Sequence, residues 1–137
     1  EVGRFLQENF PGVRKVGVLS TTGTYQAAVY PEILEPLGFT AVTPPITLQT
    51  EKIHPAIYNP TYGIKACGLI TKQARDHLQQ GVAALKAVGA EAIILGCTEL
   101  PLAFSEPTVA DLPLIDPTRI LARALVREAN LAKLKPL

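Results

Sequence analysis

Two rhythms of apolar and polar residues alternate along the chain. Short apolar runs of the buried-strand type occur at 15–20 (KVGVLS), 39–44 (FTAVTP), 92–95 and 113–116 (PLID), and they predict four strands. Between them the spacing turns helical. The segment YQAAVYPEILEPLG (25–38) reads as a helix kept kinked or short by Pro31 and Pro36 and stopped by Gly38. A middle section, 47–62, predicts a short helix and then a loop marked by Asn59-Pro60. The clearest amphipathic helix spans 72–88, with Ala74, Leu78, Val82 and Leu85 on one face and Gly89 closing it. Asp116 stands at an N-cap position with Pro117 in the first turn, and Ile120, Leu121, Ala124 and Leu125 form the expected buried stripe of the last helix.

Strands separated by helices predict an α/β fold: a right-handed, mostly parallel sheet with helices on both faces, forming a single domain over 1–137. Ligands of such sheets gather outside the carboxyl ends of the strands. That rule collects Thr21 to Thr24, Cys97 to Glu99, and Asp116 on one rim.

Composition narrows the partner. The 137 residues are 47% apolar, enough for a real core, and the apolar set is mostly Ala, Val, Ile and Leu. With 13 basic and 12 acidic residues interspersed, the net charge of +1 leaves no electrostatic footprint for nucleic acid. No apolar run is long enough for a bilayer, and no secretory signal pattern is visible. The expectation is a cytoplasmic protein with a small-molecule partner, no nucleic acid and no membrane. Cys67 and Cys97 match no metal or redox spacing, and His54 and His77 have no ligand partners nearby in sequence. Neither a metal nor a cofactor is expected, and both histidines read as surface or ordinary structural residues.

The rim residues leave two questions open. Thr21, Thr22, Gly23 and Thr24 can present N–H groups and hydroxyls to an anion, or can simply cap a helix. Cys97, between Gly96 and Thr98, is either a small core hydrophobe or a thiol whose pKa nearby N–H groups lower. With no histidine placed to partner it, the thiol suits proton transfer better than acyl transfer.

The motifs ILGCTELPL (94–102), KVGVLSTTGT (15–24), YGIKA (62–66) and LIDPTRILARA (114–124) together resemble the aspartate/glutamate racemase superfamily. Glu99 after Cys-Thr resembles the aspartate racemase-like branch, and EVGRFLQENFPG (1–12) resembles the helix entering the second of that family's two domains. The resemblance implies a flavodoxin-like second domain and a cofactor-independent isomerase. One cysteine removes the α-proton of an amino acid and another, on the opposite face, returns one. Cys97 would be one of the two. Thr21, Thr22, Gly23, Thr24, Thr98 and Glu99 would bind substrate, and Lys65 would meet its side-chain carboxylate, although alone Lys65 reads as a solvated lysine.

The family's first cysteine lies in a Cys-Asn-Thr motif, which this sequence lacks. The chain is therefore expected to be the C-terminal portion of a racemase, inactive by itself. The helix at 116–134 would pack back on the other domain, leaving an apolar stripe for a second copy to cover, as in a homo-oligomer. Cys67 follows the lysine motif but is not expected to replace the missing thiol, because one rim does not reach both faces of a substrate. Alternatives are a hydantoin racemase or maleate isomerase of the same superfamily, or a non-catalytic module that binds small acids.

Overall fold

A computed structural model describes residues 1–104 and 106–136. In chain order the elements are α1 (Val2–Asn9), β1 (Lys15–Ser20), α2 (Thr22–Gln26), α3 (Val29–Leu34), β2 (Thr40–Val42), α4 (Ile46–Leu48), a π-helical turn (Gln49–Ile53), α5 (His54–Tyr58), α6 (Ile64–Cys67), α7 (Lys72–Ala87), β3 (Ala92–Gly96), β4 (Thr108–Val109), β5 (Leu112–Ile115) and α8 (Pro117–Ala129). The sheet runs β2-β1-β3-β5-β4. All neighbours are parallel except β4, which lies antiparallel to β5 at the edge. The predicted α/β architecture is the one observed, and the 2-1-3 strand order is that of flavodoxin-like sheets.

Period-two alternation along the strands divides the core between the two faces. Leu19, Ile93 and Leu95 pack with Ile53, Leu78 and Leu85 on the side of α5 and α7. Val16, Ala92 and Ile94 pack with Leu6, Leu34 and Ile120 on the side of α1, α3 and α8. Removing one such leucine side chain costs about 2–5 kcal/mol. The α7 face is as predicted, with His77 and Gly81 added to its buried row. His77 is buried and lies edge-on to Tyr62.

Several boundaries differ from the sequence expectation, each for a local reason. The helix expected over 25–38 divides into α2, α3 and a 3-10 turn at Glu35–Leu37, because Ala28 takes a left-handed conformation. Gly38, at φ 86°, stops it as expected. The strand expected over 39–44 shortens to β2. The α8 stripe is narrower than predicted. Ile120 and Ala124 are buried, whereas Leu121 and Leu125 are 54% and 64% exposed. A helix lying on one sheet face buries its i, i+4 row, and the next residue along is turned by about 100° toward solvent. The helix expected over 116–134 runs over Pro117–Ala129, and a 3-10 turn at Leu131–Lys133 follows an extended Asn130. Asp116 is its N-cap, accepting from the Thr118 and Arg119 N–H groups at 2.9 and 3.3 Å.

Candidate active site

Strand register sets the site. Ser20 pairs with Gly96, so Thr21 and Cys97 leave the sheet side by side at the carboxyl ends of β1 and β3. The strand order reverses between these two strands, and ligands of open α/β sheets bind at that position. Gly96 is required there. A Cβ would meet Tyr30 Cε2 at 2.9 Å and the Leu19 carbonyl oxygen at 3.1 Å. Cys97, Thr98, Tyr30 and the first residues of α8 line an open depression of about 190 Å³.

Cys97 does not stand alone. Its thiol donates to Glu99 Oε2 at 2.8 Å, and the Thr98 hydroxyl donates to the same oxygen at 2.9 Å. Glu99 Oε1 forms an ion pair with Lys65 Nζ at 2.7 Å. Lys65 is carried by α6, whose entry at Gly63 is fixed by close backbone packing: a Cβ would lie 2.5 Å from the Asn59 nitrogen. The ammonium group also sits 5.4 Å from the centre of the Tyr58 ring, a cation–π contact. Tyr58 stacks on His54 at 4.9 Å, and His54 Nδ1 accepts the Thr22 N–H at 3.2 Å. A continuous series of contacts therefore joins the threonine turn to the thiol.

The charges follow from these contacts. The Cys97 hydrogen bond, then Lys65, holds the Glu99 carboxyl down at about 2. Burial pushes the Cys97 thiol up, and its hydrogen bond to Glu99 adds to the rise. This reverses the sequence expectation. The Glu99 N–H and Lys65 do favour thiolate, but burial and the adjacent carboxylate outweigh them. Burial, then Cys97 and Asp116, raises the Tyr30 hydroxyl.

The threonine turn is partly satisfied internally. Thr21 caps α2 by accepting the Thr24 N–H at 3.4 Å, and its hydroxyl lies 3.3 Å from that of Thr24. The Thr22 N–H is taken by His54, so the turn offers mainly hydroxyls to a ligand, with Gly23 exposed at its tip. Thr22 Oγ1 is buried with no partner among the described residues. Cys67 lies outside this series; its thiol donates to the Thr61 carbonyl at 3.4 Å, and both cysteines are free. Sequence reasoning did not single out Tyr30, Gln49 or Tyr58, and it read His54 as a surface or ordinary structural residue, whereas His54 contacts both the threonine turn and Tyr58. The four-residue spacing of His54 and Tyr58 was a usable signal, whereas nothing local marked Tyr30 or Gln49.

The family description Asp/Glu/Hydantoin racemase matches residues 4–125. The chain belongs to the Asp/Glu/hydantoin racemase family. A glutamate racemase of Pseudomonas putida is 34% identical over 119 residues, covering 82% of this chain and 40% of that protein. Among solved structures, an aspartate racemase homologue from Pyrococcus horikoshii superposes with a TM-score of 0.76 at 29% identity, covering 93% of this chain and 53% of that one. An aspartate racemase of Picrophilus torridus gives a TM-score of 0.70 at 25% identity, covering 93% and 49%. This racemase-family chain thus spans about two fifths of the length of the curated relatives it matches. Among its described residues, no helix is long and apolar enough to cross a membrane, and no cluster of His, Cys, Asp and Glu is suited to a metal.

Proposed function

We propose that this chain supplies one of two acid/base thiols to a cofactor-independent racemase of acidic amino acids, aspartate or glutamate. The observation that carries this reading is the Cys97–Glu99–Lys65 series at the strand ends where the sheet order reverses. With its pKa raised, Cys97 rests as a thiol, so its first role is that of acid. It donates its proton to the α-carbon from one face after a second thiol, outside this rim, has removed the original proton from the other. The resulting Cys97 thiolate is held by the Glu99 N–H and by Lys65, and it acts as base in the reverse direction.

The hydroxyl of the Thr21–Thr24 pair that keeps a free proton, and the Thr98 hydroxyl once it turns from Glu99, donate to the α-carboxylate as negative charge develops, with Thr22 and Gly23 shaping the turn. Lys65 attracts the side-chain carboxylate of the substrate, while Glu99 keeps the ammonium group in place. The helix face bearing Leu121 and Leu125 is proposed to meet another protein surface, in the simplest case a second copy.

The test is α-proton exchange in D₂O with single enantiomers of aspartate and glutamate, using the protein that contains this chain and its Cys97→Ala variant. Loss of exchange by about 100-fold or more in the variant is expected for the enantiomer whose α-proton Cys97 removes, while the other enantiomer still exchanges at the second thiol. Unchanged exchange of both enantiomers in Cys97→Ala, or none in the parent protein with either acid, overturns the reading. Because Glu99 already neutralises Lys65, a neutral hydantoin is the second reading; turnover of a hydantoin in place of both acids selects it.

A further inference from the structure

The turn at 21–24 is gripped from below by two side chains of one unusual helical segment. Gln49, fully buried, donates from Nε2 to the Ser20 carbonyl at 2.9 Å. His54 Nδ1 accepts the Thr22 N–H at 3.2 Å. These partners lie on either side of Thr21, the residue that emerges beside Cys97. The two gripping residues are five apart. In an α-helix, positions five apart point about 140° away from one another. Here the His54 N–H bonds back to the Gln49 carbonyl, the five-residue step of a π-helical turn, and that step brings both side chains to one side.

We infer that Gln49 and His54 are positioning residues that fix the threonine turn in its substrate-receiving conformation, with the π-helical turn as the device that aligns them. The inference rests on the racemase reading and extends it to residues that do not touch the reacting atoms. For Nδ1 to accept, the imidazole must be neutral with its proton on Nε2. Its face is occupied by Tyr58, whose ring also contacts Lys65, so the same histidine steadies both ends of the site. Gln49 offers no comparable surface handle, because it lies wholly within the core between α7 and the end of β1.

The test compares His54→Phe, which keeps a ring for Tyr58 but loses the acceptor, with His54→Asn, whose Oδ1 takes the place of Nδ1. Two measurements are made on the protein containing this chain: amide hydrogen exchange at Thr22, and KM and kcat for aspartate and glutamate. His54→Phe is expected to exchange the Thr22 amide about tenfold faster and to raise KM about five- to tenfold, with kcat changed less than about twofold and the urea midpoint nearly unchanged. His54→Asn restores the Thr22 protection, and its KM recovers only in part because it lacks the ring beneath Tyr58. Faster amide exchange with unchanged KM in His54→Phe overturns the substrate-positioning role. Unchanged amide exchange in His54→Phe overturns the grip itself. A parent protein that turns over neither acid removes the racemase reading and the KM half of this inference, while the Thr22 amide still tests the grip.

Discussion

Replacing Glu99 with glutamine removes the charge that joins Lys65 to the Cys97 thiol while keeping the side chain's size. The carboxyl lies at about 2 instead of its ordinary 4.5. At about 1.4 kcal/mol per pH unit, that gap sets an upper limit of about 3.5 kcal/mol. The Lys65 side chain is 40% exposed, so water screens the pair and ordering two side chains offsets part of the gain. A loss of about 1–2 kcal/mol for Glu99→Gln at neutral pH follows. The sign of the pH dependence is fixed by the lowered carboxyl. Its contribution is fully present above 4.5 and is lost as the pH falls toward about 2. Urea unfolding of parent and variant should therefore differ most near neutrality, and the two curves should converge as the solution is acidified through that window. A difference that stays constant from neutral pH to about pH 3, or a variant as stable as the parent at neutral pH, refutes the stabilisation of the Glu99 carboxylate by Cys97 and Lys65.

Four further outcomes follow from the same contacts. Glu99→Gln should alkylate at Cys97 with iodoacetamide about three- to tenfold faster near neutral pH, read by peptide mass spectrometry, because the carboxylate that favours the thiol is gone and Lys65 remains. A slower or equal rate contradicts that account. Gly96→Ala should lower stability by about 1–3 kcal/mol in urea titration, since its Cβ meets Tyr30 at 2.9 Å and the β1 backbone at 3.1 Å. Gly63→Ala drives a Cβ to 2.5 Å from backbone, so it should reduce stability and disturb the Lys65–Glu99 pair; if Glu99→Gln costs as much stability at neutral pH in the Gly63→Ala background as in the parent, the pair has survived and the account fails. Leu121→Glu with Leu125→Glu should abolish self-association measured by sedimentation velocity, and a parent chain that stays monomeric at high concentration refutes the predicted contact.

Much of this molecule is written locally. Period-two and 3.6-residue spacings were enough for the α/β class, for the α7 face and for the parallel strands, because each depends on residues within one turn or pleat of one another. Caps were equally legible at Asp116 and at Gly38. The β4–β5 hairpin was not. Its two-residue turn places Ala110 and Asp111 at φ 50° and 66°, a left-handed pair usually announced by glycine or asparagine.

The candidate site divides in the same way. Sequence alone placed Cys97, Thr98, Glu99 and the 21–24 turn at strand ends, since a strand's direction and the position of its last residue are local properties. It could not set the register that puts Ser20 opposite Gly96, nor the loop path that brings Lys65 to Glu99. It also gave the wrong direction for the Cys97 thiol. Nearby N–H groups are visible in a sequence, whereas burial and a carboxylate at 2.8 Å are consequences of packing. The residue types were therefore determined by the chain itself, and their charges and partners by the tertiary structure, because electrostatic energy depends on distance and solvent access rather than on order along the backbone.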